Sequence, residues 1–200
     1  GSEQLQKSQD ILPGGNVFTA GFAGNNATLS GWELGLSQTI NSANSVYVRR
    51  SQSYRLPNID EIGGAPWLGA GPMPLNPQTA QDNELGWKYR VADSTRVGLR
   101  VFQSELRNEI IFDPSQFANI NLEPTRRRGI DLDVSHRLSR QLLLGGVMSY
   151  KAADFASGSY AGMAIPMVPR QSASLRGVWS LASQHTVSAY ANLLGSQQVA

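Results

Sequence analysis

Apolar and polar residues alternate over several long stretches of the chain. In residues 84–91 (ELGWKYRV) every second residue is apolar, and the residues between them are charged or glycine. Residues 96–101 (RVGLRV) and 129–134 (GIDLDV) repeat this pattern. A period of two is typical of a β-strand, because successive side chains of a strand point to opposite faces of the sheet. The pattern therefore predicts strands in all three segments.

Extended to the whole chain, the pattern predicts an all-β protein: an antiparallel up-and-down meander of about eight long strands. Each strand has roughly 10 to 12 residues, more than the usual 5 or 6 and close to the 9 to 11 of a tilted transmembrane strand. The predicted strands span residues 28–39, 45–54, 81–92, 95–105, 127–138, 141–151, 169–181 and 185–195.

The connections between the strands alternate between short turns and long loops, the long ones covering roughly residues 55–80, 106–126 and 152–168. Facing residues of paired antiparallel strands share a sheet face. The positions of the apolar residues around the four short turns then require an odd number of residues in each turn, and three is the simplest count.

The apolar face has two possible surroundings. In a membrane barrel, Leu85, Trp87, Leu99 and Leu132 would face lipid and the charged face would line a water-filled lumen. In a soluble sheet, the same residues would pack on a core. The periodicity favours lipid and leaves the soluble sheet open.

The second strand carries a charge that fits the membrane interpretation poorly. Continued alternation from Val46 and Val48 would point Arg50 at lipid, at a cost of roughly 2–4 kcal/mol at mid-depth. A β-bulge near Arg49 would turn this side chain away from lipid. At mid-depth, a regular strand would thus need such a bulge.

Composition narrows the class of protein. The 200 residues carry a formal net charge of only +2, which disfavours nucleic-acid binding, and no composition shift divides the chain into domains. The absence of cysteine excludes disulfides and thiolate chemistry. His136 and His185 lack metal-site spacing, and no nucleophile elbow or phosphate-binding glycine loop occurs. We expect no catalytic residue, no metal site and no cofactor.

Several segments occur in an order that resembles one known family, the TonB-dependent outer-membrane receptors. Each segment by itself is weakly specific, but together they span residues 28 to about 195. They are SYRLPNIDEI (53–62), LNPQTAQDNELGWKY (75–89), RNEII (107–111), NINLEPTRRRGIDLDV (119–134), MSYKAADF (148–155) and IPMVPRQSASL (165–175).

The resemblance implies a barrel of about 22 strands around a plug, in the bacterial outer membrane. It implies TonB-dependent uptake of a ferric siderophore or similar scarce nutrient, with the nutrient or metal chelate, the TonB complex, lipid and lipopolysaccharide as partners. Residues 28–195 would be a part of this barrel, from its C-terminal half and without plug or TonB box. Residues 1–27 would be a loop or incomplete strand, and residues 196–200 the start of an outer loop.

By the same resemblance the long loops are extracellular, and they contain the candidate ligand-binding residues. A histidine between residues 56 and 75 would suggest haem, and none is present. For the loop residues, the alternative to ligand binding is a loop held by its own turns and a salt bridge. For the arginines, the alternative is a cluster that is solvated or contacts lipopolysaccharide phosphate. The candidates are Arg55, Asn58, Asp60, Glu61, Trp67, Arg126 and Arg127.

Two other functions remain possible at this point. One is a soluble all-β binding or adhesion module with long recognition loops, and the other is a passive porin. The membrane interpretation also implies that an isolated eight-strand segment has two unpaired edges, which other strands must cover.

Overall fold

The structure is a computed structural model, which describes residues 28–62, 74–92, 94–182 and 185–197. Within these ranges eight long strands form one antiparallel sheet in the order β1-β2-β3-β4-β7-β8-β9-β10, and β5 and β6 form a separate hairpin. The elements are β1 (Trp32–Thr39), β2 (Asn44–Arg55), α1 (Ile59–Ile62), β3 (Gln78–Val91), β4 (Thr95–Arg107), β5 (Ile110–Asp113), β6 (Ala118–Asn121), β7 (Thr125–Arg137), β8 (Leu142–Phe155), β9 (Gln171–Ala182) and β10 (His185–Leu194).

The predicted meander is confirmed, because all eight long strands occur in the predicted order and pair with their neighbours in the sheet. The sheet is open, with β1 and β10 at its two edges. Two elements were not predicted: the β5–β6 hairpin and α1, both within long connections. The expected loop or strand at 1–27 and most of the expected outer loop at 196–200 lie outside the described residues.

Three of the four short turns have the predicted three residues. Each is enclosed by a residue pair joined by a backbone hydrogen bond or by strand pairing. These pairs are Ile40 with Asn44, Val91 with Thr95, and Leu138 with Leu142. The prediction is wrong for the fourth turn: Ala182 pairs with His185, and the register shifts between His185 and Thr186. This bulge absorbs one residue, so two residues separate the strands.

The apolar face of the sheet is exposed and does not cover a core. Leu85 is 55% and Leu99 is 37% exposed, and Leu34 on the edge strand β1 is 73% exposed. In the described part of the chain, the buried apolar residues lie toward the end with long connections. A soluble sheet would bury its apolar face, so this arrangement argues against the soluble alternative and fits a face turned to lipid.

The apolar residues form a belt that crosses the rows of paired residues obliquely. One such row runs through Leu36, Val48, Leu85, Val101, Ile130 and Tyr150 and then reaches Gln171. On β9 the belt has moved toward the short turns, where Trp179 and Leu181 are exposed. Tilted strands require this displacement, because paired rows run across the strands and not along the membrane plane.

β2 has no bulge near Arg49. Gly35 pairs with Arg49 and Leu34 with Arg50 without a register shift, so Arg50 stays on the outward face. Its neighbour on β3 is Asn83. At Asn83 the outward face of β3 changes from apolar to polar residues. Arg50 therefore lies where β2 leaves the apolar belt, and a regular strand is compatible with its charge.

Long connections lie at one end of the sheet and short turns at the other, the usual arrangement of extracellular and periplasmic ends in outer-membrane barrels. The side of the sheet opposite the apolar belt then faces the lumen. No helix in the described ranges is long and apolar enough to cross a membrane.

The assignment of the two faces predicts opposite outcomes for one charge placed on neighbouring residues. We expect Leu99→Arg to destabilise the folded barrel by roughly 2–4 kcal/mol at mid-depth, because the guanidinium meets lipid. Gly98→Arg is the matched control: it faces the lumen, and a Cβ at Gly98 comes no closer than 3.8 Å to a neighbour, the Cβ of Asp133. Urea unfolding in lipid vesicles measures both. Equal destabilisation would contradict the assignment.

Candidate functional site

A row of alternating charges crosses the lumen face on six adjacent strands, and we call it the lumen ladder. Arg49 donates to Glu33 at 2.9 Å and to Glu84 at 2.5 Å. Arg100 donates to the same Glu84 oxygen at 3.0 Å. The lumen ladder consists of Glu33, Arg49, Glu84, Arg100, Asp131 and Ser149.

The centre of the lumen ladder is less exposed than its ends. The side chain of Glu84 is 9% exposed, whereas that of Glu33 is 60% exposed. Arg100 binds Asp131 through both Nε and Nη2, and Ser149 donates to the other Asp131 oxygen. Each inner charge thus has two partners, which makes the ladder a network and not a set of isolated surface pairs.

Two aromatic rings on the lumen face cover glycines on the next strand. Tyr47 pairs with Gly86, and a Cβ added at Gly86 would collide with the Tyr47 ring. Phe102 pairs with Gly129, where an added Cβ would lie 3.0 Å from the ring and 2.6 Å from the Tyr150 carbonyl oxygen. Arg100 then lies 4.7 Å from the Phe102 ring centroid, within cation–π range. Glycine therefore leaves space for each ring beside the charges.

Toward the periplasmic end, the lumen face has more cations than acids. Lys88, Arg90 and Arg96 line a depression of about 370 Å³ with Asp133 as the acidic lining residue. Arg90 and Arg96 are directly opposite each other, an unfavourable pairing of like charges. Among the described residues, neither arginine has an ion-pair partner within 4.0 Å.

The loop after β2 is held by its own polar side chains. Asn58 Oδ1 accepts the Glu61 N–H at 2.8 Å, and Glu61 Oε2 accepts the Asn58 N–H at 2.9 Å. This reciprocal pair is the capping box of a helix start and begins α1. Arg55 donates to both Glu61 oxygens at 2.8 and 2.9 Å. Partial burial favours the neutral acid, but the Asn58 and Arg55 hydrogen bonds outweigh it and lower the pKa of Glu61.

Three of the predicted site residues are therefore brought together, as Arg55 and Asn58 both bind Glu61. Asp60 is exposed beside them. Trp67 lies outside the described residues. Whether these residues contact a ligand stays a prediction, and in this structure their polar groups stabilise the loop.

Two asparagines attach the β5–β6 hairpin to the β2–β3 connection. Asn119 Nδ2 donates to the carbonyl of Glu61 at 3.2 Å. Asn121 exchanges two hydrogen bonds with the backbone of Asn76, at 2.7 and 3.0 Å, and also donates to the carbonyl of Asn108. These bonds join segments that are far apart in the sequence, so the two long connections form one structure at the extracellular end.

A small buried cluster lies at the same end. Thr125 is fully buried and donates its hydroxyl to Glu109 at 3.0 Å. Thr125 pairs with Leu106 on the lumen face, so the cluster lies over the lumen mouth. The buried apolar residues are Leu75, Leu106, Ile110 and Ala118.

The tip of the hairpin presents apolar side chains to solvent. Phe112 is 50% and Phe117 is 48% exposed, and their rings meet edge to face at 5.4 Å between centroids. Phe117 has a φ of 50°, an unusual left-handed conformation for an aromatic residue. Hydrogen bonds from Ser115, and then from Gln116, to the Asp113 carboxylate close the turn and lower the pKa of Asp113. The hairpin thus holds an aromatic platform in place.

The three consecutive arginines of β7 do not form one site. Arg127 faces the lumen and binds Glu109 at 2.5 Å. Arg126 and Arg128 face outward and both bind Asp154, at 3.0 and 3.3 Å. The predicted pair Arg126 and Arg127 is therefore divided between two opposite faces of the sheet.

No three histidine, aspartate or glutamate side chains converge on a possible metal site in the part of the chain that the structure describes. His136 binds the hydroxyl of Thr95 through Nδ1 at 2.9 Å. This places His136 in a side-chain pair between β4 and β7.

Long strands with an apolar face for lipid, a charged face for water, and structured connections at one end define a segment of an outer-membrane β-barrel wall. The family model described as TonB dependent receptor-like, beta-barrel, matches residues 8–198. The chain belongs to this family, which confirms the predicted family and the bacterial outer membrane as its location. The family consists of transport receptors and not of enzymes.

Solved structures support the same fold. The ferric-catecholate import receptor Fiu from Escherichia coli K12 superposes with a TM-score of 0.63 at 17% identity, over 85% of this chain and 25% of that chain. The siderophore receptor PirA from Pseudomonas aeruginosa superposes with a TM-score of 0.62 at 17% identity, over 84% and 31%. This chain thus spans less than a third of either receptor. No curated protein sequence matches the chain.

Sequence reasoning missed the lumen ladder and the aromatic platform. Alternation placed Glu84 and Arg100 on the polar face, but it gave no sign that they share a partner network. The hairpin that carries the platform had one local signal in the sequence. This is the polar-apolar-polar triplet Asn119, Ile120, Asn121, which fits a short strand with amides on one side.

The lumen ladder predicts that its central acid, Glu84, contributes more to the free energy of unfolding than the acid at its end, Glu33. We expect Glu84→Gln to lower the free energy of unfolding by about 1–3 kcal/mol, because Arg49 and Arg100 each lose a charged partner. Glu33→Gln is the control and should cost less than about 1 kcal/mol, since it is an exposed pair. Urea unfolding in lipid vesicles measures both, and equal effects would refute the network.

The lowered pKa of Glu61 predicts a pH-dependent loop. The capping box stabilises the loop fully above the ordinary pKa of glutamate, and this stabilisation is lost as the pH falls through the lower folded pKa. Hydrogen-exchange protection of residues 58–62, corrected for intrinsic rates, should fall on acidification. Glu61→Gln should show little pH dependence. A wild-type profile as flat as that of Glu61→Gln would contradict the prediction.

Proposed function

We propose that the chain forms part of the barrel wall and extracellular mouth of a TonB-dependent importer for a ferric siderophore or a similar scarce nutrient. The observation that carries this proposal is family membership over residues 8–198, joined to a charged lumen face. The solved structures named above are an import receptor for ferric catecholates and a siderophore receptor, which supports a metal chelate as cargo.

The aromatic platform and the loop after β2 supply the first contacts with cargo in this proposal. Phe112 and Phe117 offer apolar ring surface, which suits aromatic or apolar parts of a chelate. Asn119 of the hairpin binds the Glu61 carbonyl, and Asp60 and Trp67 belong to the same connection as Glu61. Recognition then combines a rigid apolar platform with nearby polar groups, as in most small-molecule sites.

Transport beyond the mouth requires parts outside the eight strands. We propose that a plug and the inner-membrane TonB complex supply gating and energy, and that the lumen face of this chain provides a polar wall around the plug. The cations Lys88, Arg90 and Arg96 leave that wall positive toward the periplasm. A passive porin would instead conduct cargo without the TonB complex.

Uptake by cells tests the proposal. Cells that produce the intact outer-membrane protein should accumulate radioactive iron from at least one ferric siderophore of a panel that covers catecholates, hydroxamates and mixed chelates. This uptake should disappear when the TonB complex is deleted. Uptake that persists without the TonB complex would indicate a porin, and failure with the whole panel would overturn the siderophore proposal.

The aromatic platform predicts a specific loss of affinity. For the imported chelate, we expect Phe112→Ala to raise Kd by about tenfold, the effect of losing one hot-spot contact worth about 1.4 kcal/mol. Phe112→Tyr retains the ring and is the matched control. Fluorescence quenching on titration with the ferric chelate measures Kd. An unchanged Kd for Phe112→Ala would remove the platform from the site.

A further inference from the structure

The lumen face carries a surplus of cations at the end with the short turns. Lys88 and Arg90 on β3 and Arg96 on β4 are exposed and line the depression of about 370 Å³. We call these three residues the periplasmic cation group. Among the described residues that line the depression, Asp133 on β7 is the one acid. The wall of the depression is therefore positive.

Strand register and one glycine create the depression. Gly98 is opposite Lys88 on one side and opposite Asp133 on the other. Because Gly98 has no side chain, the space between Lys88 and Asp133 stays open, and an added Cβ would lie 3.8 Å from the Asp133 Cβ. Arg90 and Arg96 form the next lumen-facing row toward the turns. The cations thus surround an open floor.

The two arginines of the group are placed where their charges repel. Like charges directly opposite each other on paired strands destabilise the pairing. In the lumen ladder this repulsion is avoided, because Arg49 and Arg100 share the carboxylate of Glu84. An anion between Arg90 and Arg96 would replace the repulsion by two attractions, and each planar guanidinium matches the two oxygens of a carboxylate. The pair therefore suits an anionic ligand.

Charge on the lumen face changes from the mouth toward the periplasm. In the lumen ladder two arginines face three carboxylates, whereas at the depression three cations face one carboxylate. A cleft lined by one sign of charge concentrates ions of the opposite sign. An anion in the lumen is therefore drawn past the ladder to the periplasmic cation group.

Cargo that leaves the mouth for the periplasm passes this end of the lumen. Chelates in which several carboxylates or catecholates hold a ferric ion carry net negative charge. We propose that the periplasmic cation group is a transit site that binds an anionic metal chelate on its way out, separate from the aromatic platform at the mouth. The identity of the ligand as cargo rests on the proposed function, and the inference adds its negative charge and a second place where it binds.

The first experiment tests the site without any cargo. The intact protein in detergent is titrated with citrate, and trimethyl citrate is the uncharged counterpart. Ala43 lines the depression, and its carbonyl accepts the Arg90 N–H at 2.7 Å, so a carbon-13 label on the Ala43 methyl group reports occupancy. Citrate should shift this resonance to saturation, and trimethyl citrate should leave it in place. R90Q/R96Q should raise the apparent Kd for citrate by about tenfold, since charge-assisted hydrogen bonds are lost.

A charge-matched control removes two arginines from the outward face. R50Q/R107Q should change the Kd for citrate less than about twofold, because salt screens exposed charges that lie farther away. Equal losses in R90Q/R96Q and R50Q/R107Q would overturn the proposal. Heat-modifiable migration in gels confirms that each variant is folded, and the single variants R90Q and R96Q replace the double variant if it fails to fold.

Two further variants separate charge from space. Asp133→Asn should lower the Kd for citrate, because it removes the acid at the depression. Gly98→Leu should raise it, because the side chain fills the floor while every charge stays. An Ala43 resonance that does not respond to citrate in wild type would overturn the proposal, and a plug carboxylate that already fills the depression would give this result.

The second experiment tests transit in cells that import an anionic ferric chelate. R90Q/R96Q should lower the initial uptake rate at saturating chelate by roughly tenfold, the lower end of what focusing by a charged cleft contributes. The Kd for the chelate at the mouth, measured by fluorescence quenching, should stay within about twofold. An unchanged uptake rate would overturn the transit site and leave the importer standing. Failure of the whole chelate panel would overturn the siderophore proposal, while the citrate titration still decides whether the anion site exists.

Discussion

Continuous antiparallel pairing between two different solvents is the constraint on which this structure depends. Within lipid, backbone N–H and C=O groups must bind each other, so the strands cannot shift individually without leaving unsatisfied groups. Residue parity then decides whether a side chain meets lipid or water. Arg49 joins the lumen ladder while Arg50 faces outward, and Arg127 binds Glu109 in the lumen while Arg126 and Arg128 face the opposite way.

The two faces solve different energetic problems. The outward face needs no packing partner within the chain, because lipid covers Leu85, Leu99 and their neighbours. The lumen face carries charges at short distances, and alternation of sign along the ladder lets Arg100 and Glu84 satisfy each other. Compact packing occurs at the extracellular mouth, where Leu75, Leu106 and Ile110 are buried beneath connections tied by Asn121. The wall is thus a sheet between two solvents, with its core at the rim.

Sequence reasoning was most successful where structure is local and least successful where it is not. The long strands followed from alternation, as did the assignment of Leu99 to the apolar face. The β5–β6 hairpin was missed because its strands have only four residues each, too few for a clear period. The depth of Arg50 could not be read from alternation; the structure places it where β2 leaves the belt, so no bulge near Arg49 is needed. Arg55, Asn58 and Glu61 were predicted as ligand contacts, which stays a prediction; the hydrogen bonds that Arg55 and Asn58 make with Glu61 show the interaction that a local motif can encode.

The sequence by itself determined which side chains share a face, because the period of a strand is a property of the backbone over a few residues. Family membership also follows from the order of its segments. Only the tertiary structure decided which charges meet: Glu33 and Arg49, Glu84 and Arg100, or Arg126 and Asp154 are distant in sequence, and their contact depends on the register of separate strands. The same holds for Asn121 and Asn76, since docking of one long connection on another is set by packing at the rim and not by any local pattern.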